Sequence, residues 1–146
     1  MNSDKNLTII FTVDKTPAQA FEAITQVSQW WSRTVEGGTS KAGDEFVYRH
    51  KDIHYSKQKL IEVIPGKKMV WRVLDAELTF VKSKREWEGT EICFELVPKG
   101  RKTELQFMHV GLTDSCECFQ ECRSGWNYYV GESLRALITT GAGKPD

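Results

Sequence analysis

The sequence predicts an α+β fold: a curved antiparallel sheet of about six or seven strands wrapped around a long C-terminal helix, with a short helical segment after the first strand. Three observations predict it. Residues 43–110 break into short β-rich runs joined by turn residues, residues 113–140 carry one unbroken helical pattern, and a strand followed by a helix precedes both. One sheet face and one helix face must then cover each other.

The first strand spans residues 8–13, β-rich after a polar start. Thr16 then offers an N-cap with Pro17 at the first helical position. From Ala18 the apolar residues Ala20, Phe21, Ile24 and Val27 recur at helical spacing, and Trp30-Trp31 closes this short amphipathic helix before Gly37-Gly38. Further strands are expected at 45–50, 57–64, 68–74, 78–82, 90–97 and 103–110, with turn chemistry at Pro65-Gly66, Glu88-Gly89 and Pro98-Lys99-Gly100. In the last two, Ile92, Phe94 and Leu96 oppose Glu91, Cys93 and Glu95, and Leu105, Phe107 and His109 oppose Glu104, Gln106 and Met108. One face is buried and the other wet. The final helix, expected to start at Thr113 or Asp114 and stop at Gly141, gathers Phe119, Cys122, Trp126, Tyr129, Val130, Ser133 and Leu137 on one stripe. The Gly- and Pro-bearing tail after Ala142 is expected to fray. A strongly twisted sheet cannot touch a straight helix along its whole length, so the space between them is either filled by large side chains or left as a pocket.

Composition bounds the function. A chain of 146 residues is one domain's worth, read as a single domain over 1–146. Twenty Lys and Arg cancel twenty Asp and Glu, which gives no general field for nucleic acid or anionic lipid. Apolar runs are far shorter than the roughly 20 residues of a membrane span, so no membrane insertion is expected. The polar start, Met1 to Asn6, lacks an apolar secretory core, which places the chain in the reducing cytoplasm. Oligomeric state is not readable. Sixteen aromatics, five of them Trp, must either pack a core or surround something.

Taken together, Pro17 to Phe21, Trp30-Trp31, Glu62 to Trp71, Gly89 to Ile92, Thr103 to Leu112, Gly125-Trp126, Ser133-Leu134 and Leu137 form a collinear series over nearly the whole chain. That series resembles the START-like helix-grip (SRPBCC) superfamily, which includes polyketide cyclases and pollen-allergen proteins. Its nearest branch is similar to the activator of heat shock protein 90 ATPase homologues. The resemblance implies a helix-grip fold, with Trp30 and Trp31 as a lid over a cavity mouth. It implies no catalytic triad, and no single ligand, because relatives of this shape bind lipids, polyketides, hormones or, in the eukaryotic namesake, a chaperone.

Candidate chemistry centres on the inward aromatics. Trp31, Trp71, Phe94, Phe107, Trp126, Tyr129 and Val130 are read as walls for an apolar ligand, with Tyr48, His109 and Ser133 as polar neighbours. His109 lies on the strand face of Leu105 and Phe107; it is either a core His satisfied by a hydrogen bond or a contact to ligand. The rings equally suit a plain Trp-rich core. Cys116, Cys118 and Cys122 form C-x-C-x-x-x-C, but on a helix Cys116 stands about 160° from Cys118, so a metal site is not expected and buried free thiols are. Basic clusters at Lys82 to Arg85 and Lys99 to Lys102 are compensated by Glu86, Glu88 or Glu104, consistent with no nucleic-acid partner. No cofactor motif or catalytic residue is assigned. The reading is a binding module for a small hydrophobic or aromatic molecule. The alternatives are a cyclase/aromatase-like enzyme using His109 with Tyr48 or Tyr129, and a chaperone-binding module for which outward Tyr128 is one candidate contact.

Overall fold

In the computed structural model, which describes residues 5–145, the first strand and the cap signal at Thr16-Pro17 operate as written. Strand β1 (Asn6–Val13) leads into α1 (Pro17–Thr25), whose start is a full capping box: Thr16 Oγ1 accepts from the Gln19 amide, and the Gln19 side chain accepts from the Thr16 amide. The expected single helix breaks at Gln26, where ψ swings to 61°, and resumes as α2 (Val27–Trp30). That break aims both Trp30 and Trp31 inward, where they are 0% and 1% exposed. Most of the polar start and the last tail residue lie outside the described residues.

The sheet comprises β1, β2 (Glu36–Gly37), β3 (Glu45–His50), β4 (His54–Ile64), β5 (Lys68–Leu78), β6 (Glu91–Lys99) and β7 (Lys102–Thr113). Its order is β1-β7-β6-β5-β4-β3-β2, and every pairing is antiparallel. β2 was not foreseen. The strand expected at 78–82 is absent, because β5 runs on to Leu78 and the chain then turns. Irregularities between β4 and β5 at Lys57/Gln58 and Leu60/Glu62 add the local bend that a bulge produces. The sheet therefore curls around the helix.

Ile92, Phe94 and Leu96, and Leu105, Phe107 and His109, are all buried, as their alternation requires. The C-terminal helix starts six residues later than Thr113: β7 continues to Thr113, residues 114–118 are turns, and α3 covers Phe119–Tyr128. A π-helical segment (Tyr129–Leu134) and α4 (Arg135–Thr140) continue it to Gly141, which closes the helix at φ 85°. One wide turn shifts the buried stripe, so Leu134 and Ile138 join Val130, Ser133 and Leu137 in the core.

The tail does not fray as expected. Lys144 donates its amide to Ser133 Oγ at 2.7 Å and accepts from the Tyr128 hydroxyl at 3.1 Å. Ser133 Oγ in turn donates to the Trp30 carbonyl at 2.7 Å, so tail, helix and α2 are stitched at one hydroxyl. Among the described residues, no helix is long and apolar enough to cross a membrane.

Candidate functional site

Trp31 is the hub of an aromatic stack. Its ring lies 4.2 Å from Tyr48 and 5.9 Å from Trp71, nearly parallel to both, and 5.0 Å from Trp126. Trp87 stacks on the far side of Trp126 at 5.8 Å and receives the edges of His54 at 4.5 Å and His109 at 4.7 Å. The rings fill most of the space between sheet and helix. They leave a cavity of about 70 Å³ lined by Trp31, Tyr48, His54, Phe80, Trp87, Glu121, Cys122, Gly125, Trp126 and Tyr129. Its rim carries Phe80, 40% exposed, and Glu121 at the start of α3.

The rim is fastened by carboxylates. Glu86 accepts from the amides of Glu117 and Cys118, and Glu117 accepts from the Ser83 amide, which ties the 82–88 turn to the helix entrance. Arg85, the last residue of the Lys82 to Arg85 cluster, pairs with Asp75 and Glu88. These bonds hold Trp87 in place.

His109 is enclosed by a continuous proton chain. The Trp126 indole N–H can only donate, and it reaches His109 Nδ1 at 3.1 Å; Nε2 therefore carries the proton and donates to Thr90 Oγ1 at 2.8 Å. The Thr90 hydroxyl then donates to the Trp87 carbonyl at 2.6 Å. Gly111 makes room for Thr90: at φ +98°, a Cβ there would sit 2.8 Å from Thr90 Cγ2. Burial, with the nearby His54, pushes the imidazole down to about 3, so His109 is neutral and both nitrogens are occupied.

A second polar file has the opposite character. Along β4, His54, Ser56, Gln58 and Leu60 alternate onto the inner face. His54 Nε2, Ser56 Oγ, both side-chain amide atoms of Gln58, and Trp71 Nε1 of β5 are buried with no hydrogen-bond partner in the protein. Each such group costs about 1–3 kcal/mol of lost solvation. Burial, with a smaller contribution from His50, pushes His54 down to about 3 as well. Its ring lies between the aromatic cavity and a polar cleft formed by Arg49, Lys51, Asp52, Tyr55, Glu77 and Thr79.

Of the residues the sequence singled out, Trp31, Tyr48, Trp126 and Tyr129 line the cavity. Trp71, Phe94 and Phe107 form the ring layer behind them, linked at 5.0 Å and 5.3 Å. Val130, Ser133 and His109 are in the core away from the opening, with Ser133 bonded to Trp30 and His109 to Trp126. Sequence reasoning did not find His54, Phe80, Trp87 or Glu121. The alternation His54-Ser56-Gln58-Leu60 was a usable signal for His54. Cys118 and Cys122 are buried thiols, whereas Cys93 and Cys116 are half-buried; burial raises Cys93 to about 11, and the hydrogen bond that Cys118 makes to Cys122, with burial, raises Cys118 further. Cys93 and Cys118 are therefore held as thiols rather than activated thiolates. No group of three His, Cys, Asp or Glu among the described residues is placed to hold a metal.

The same architecture occurs in known proteins. The solution structure of the Aha1 dimer from Colwellia psychrerythraea superposes with a TM-score of 0.75 at 22% identity, over 95% of this chain and 99% of that one. DynU16, from the dynemicin biosynthetic locus, gives 0.70 at 16% identity over 97% of this chain and 49% of its own. CalU16 from Micromonospora echinospora gives 0.65 at 15% over 94% and 77%. At these identities the likeness establishes a shared helix-grip fold. No curated protein sequence matches. The model of the activator of Hsp90 ATPase homolog 1-like proteins matches residues 14–139, and with most of its length so matched the chain belongs to that family.

Proposed function

We propose that this protein is a single-domain, cytoplasmic, non-catalytic binder of a small hydrophobic or aromatic molecule, held between the sheet and the C-terminal helix. The observation that carries this reading is the cavity walled by Trp31, Tyr48, Trp87 and Trp126, into which His54 presents a ring whose buried Nε2 lacks a partner. Aromatic walls supply apolar contact and stacking, and one unpaired imidazole nitrogen supplies direction. His54 is uncharged at neutral pH, so the complementary ligand group is a neutral donor or acceptor. At about 70 Å³ the cavity is well below the 300–1,000 Å³ of drug-sized sites, so a single ring is the natural first probe. Four unpaired cysteines suit a reducing compartment. Proton transfer by His109 is disfavoured, because both its nitrogens are engaged inside the core.

Phenol titrated into the protein, followed through the Trp indole N–H resonances, tests the reading. Saturable shifts at Trp31, Trp87 and Trp126 that fade in His54→Leu are expected. Shifts confined to resonances of the outer sheet face, or none at millimolar phenol, would overturn it. Native mass spectrometry of gently purified protein would show whether a ligand is carried from the cell.

Family membership favours a second reading, a contact with a chaperone ATPase. Ile10 is 57% exposed, with Met108 and Val110 exposed on the wet side of adjacent β7. Tyr128 is 39% exposed but gives its hydroxyl to Lys144. Stimulation of Hsp90 ATPase by the wild type, lost in Ile10→Lys/Met108→Lys, is the expected result; an ATPase rate indifferent to the protein removes this reading.

A further inference from the structure

The orphaned polar atoms of β4 and the position of Trp31 explain each other. Register sets Ser56 between Tyr48 of β3 and Ala76 of β5, and Gln58 between Phe46 and Val73. Trp31 packs against Phe46 and Tyr48 on the β3 side and Trp71 on the β5 side. Its ring partners thus lie on both sides of β4, with Tyr48 and Phe46 opposite Ser56 and Gln58 and Trp71 opposite Leu60; Ser56 and Gln58 are both 0% exposed. A ring face offers these groups no ordinary hydrogen-bond partner, so the most polar stretch of the inner sheet lies among apolar rings. Five polar atoms there remain unpaired.

Trp30 and Trp31 are held differently. Trp30 is anchored twice, through its indole N–H to the Ile24 carbonyl at 3.2 Å and through its own carbonyl to Ser133 Oγ. Trp31 is the last residue held by α2, with its amide on Val27, and residues 32–35 form turns before the two-residue β2. The cross-element anchors thus fall on Trp30, while Trp31 is held by its amide bond to Val27 and by ring packing, with Ser32 Oγ accepting from the Thr34 amide in the turn that follows.

We infer that Trp31 is a displaceable plug over a polar floor made by His54, Ser56, Gln58 and Trp71, and that the ligand taken there is a neutral, planar bicyclic aromatic with a donor and an acceptor side by side on one edge. Gln58 presents an acceptor and a donor together, which an amide or lactam edge pairs with reciprocally; Ser56 Oγ and the Trp71 N–H serve the remaining polar atoms. No Lys or Arg lines the cavity, so a carboxylate would be buried without a counter-charge. The ligand's ring system takes over the stacking on Tyr48 and the tilted contact with Trp126 that the indole now makes. This inference rests on the cavity being a ligand site, and adds the class of ligand and the side chain that must yield.

The test compares 2-quinolone, which has a lactam edge, with quinoline, which has one acceptor and no donor. Trp31→Leu, which keeps an apolar body at the position, should bind 2-quinolone at least about tenfold tighter than the wild type, since no plug has to be moved. Adding Gln58→Leu should weaken 2-quinolone by at least about tenfold while leaving quinoline within about threefold. In the wild type, whose fold is not in question, saturating 2-quinolone should shift the Trp31 indole resonance and slow exchange of the Gln58 side-chain amide protons. Equal affinity of Trp31→Leu and wild type, or equal weakening of both probes by Gln58→Leu, overturns the inference. Perturbation of His54 and Trp87 with Trp31 unmoved places the probe in the existing cavity, which sinks the plug and leaves the binding reading standing. Silence of every cavity resonance toward both phenol and 2-quinolone sinks both.

Discussion

Two polar files flank the same aromatic stack and end in opposite states. On the β6–β7 side, Trp126, His109, Thr90 and the Trp87 carbonyl form a chain in which each proton has one place to go. On the β4–β5 side, His54, Ser56, Gln58 and Trp71 are equally enclosed and five of their polar atoms have no partner. Two neutral imidazoles thus differ in role for a reason sequence composition does not carry: one is closed on the protein itself, and the other is open. A satisfied buried network rigidifies a core, whereas an unsatisfied one costs stability that a bound molecule recovers. His109 is thus a closed structural group, and the β4 file is the one left with unmet hydrogen bonds.

The largest effect that sharpens this contrast is expected from His109→Ala. It opens a cavity in the ring layer and strands the Trp126 N–H and the Thr90 hydroxyl, at a cost of about 3–5 kcal/mol in urea unfolding. His54→Ala removes ring contacts with Tyr48 and Trp87 but strands nothing through Nε2, so about 1–2 kcal/mol is expected. Equal costs would break the comparison.

Acid supplies the next effect. His109 is held at about 3 in the folded chain, against about 6.5 when unfolded. Below about pH 6.5 the unfolded state takes up a proton that the folded state refuses, so stability falls as pH falls, until the folded imidazole itself titrates near 3. By pH 4.5 His109 alone accounts for a loss of about 2–3 kcal/mol, and His54 acts in the same direction. Unfolding free energies at pH 7.5 and 4.5 should therefore show the cost of His109→Ala shrinking by that amount in acid. A cost independent of pH would mean that His109 titrates in the fold as it does in the unfolded chain, and a cost that grows in acid would mean that it is charged there.

The inner faces of β3, β6 and β7 were legible because period-2 alternation is a local property: Phe46/Tyr48, Ile92/Phe94/Leu96 and Leu105/Phe107/His109 all went where the pleat sends them. Thr16 and Pro17 likewise fixed the start of α1 through contacts within one turn. The helix start was misplaced because Thr113 and Asp114 have cap chemistry, yet pairing with β1 keeps Thr113 in a strand. Nothing local marks the π segment that turns Leu134 and Ile138 inward. The cavity lining was half legible: Tyr48 followed from its strand face, Trp126 and Tyr129 from the helix stripe, and Trp31 from the family resemblance alone. His54 was lost because β4 was read as beginning at Lys57, which cut the strand after His54 and Ser56 and left only Gln58 of its polar inner residues. Whether His109 was satisfied depended on Trp126 and Thr90, 17 and 19 residues away, and no spacing rule reports that.

The smaller effects test the contrast by sign. Thr90→Val keeps the shape at the end of the closed file but removes the acceptor of the His109 proton, and should cost about 1–2 kcal/mol. Gln58→Leu, nearly the same volume at the heart of the open file, removes two buried atoms that have no partner, and should raise stability by about 1 kcal/mol. A polar-to-apolar change is thus destabilising on one side of the Trp31–Trp126 stack and stabilising on the other, and both are read from the shift in urea midpoint at unchanged slope. If Gln58→Leu destabilises instead, the amide is already paired in solution, and the β4 file is as closed as its counterpart. If it stabilises the empty protein while abolishing binding of a lactam-edged probe, the unpaired amide is a stability cost that ligand binding recovers.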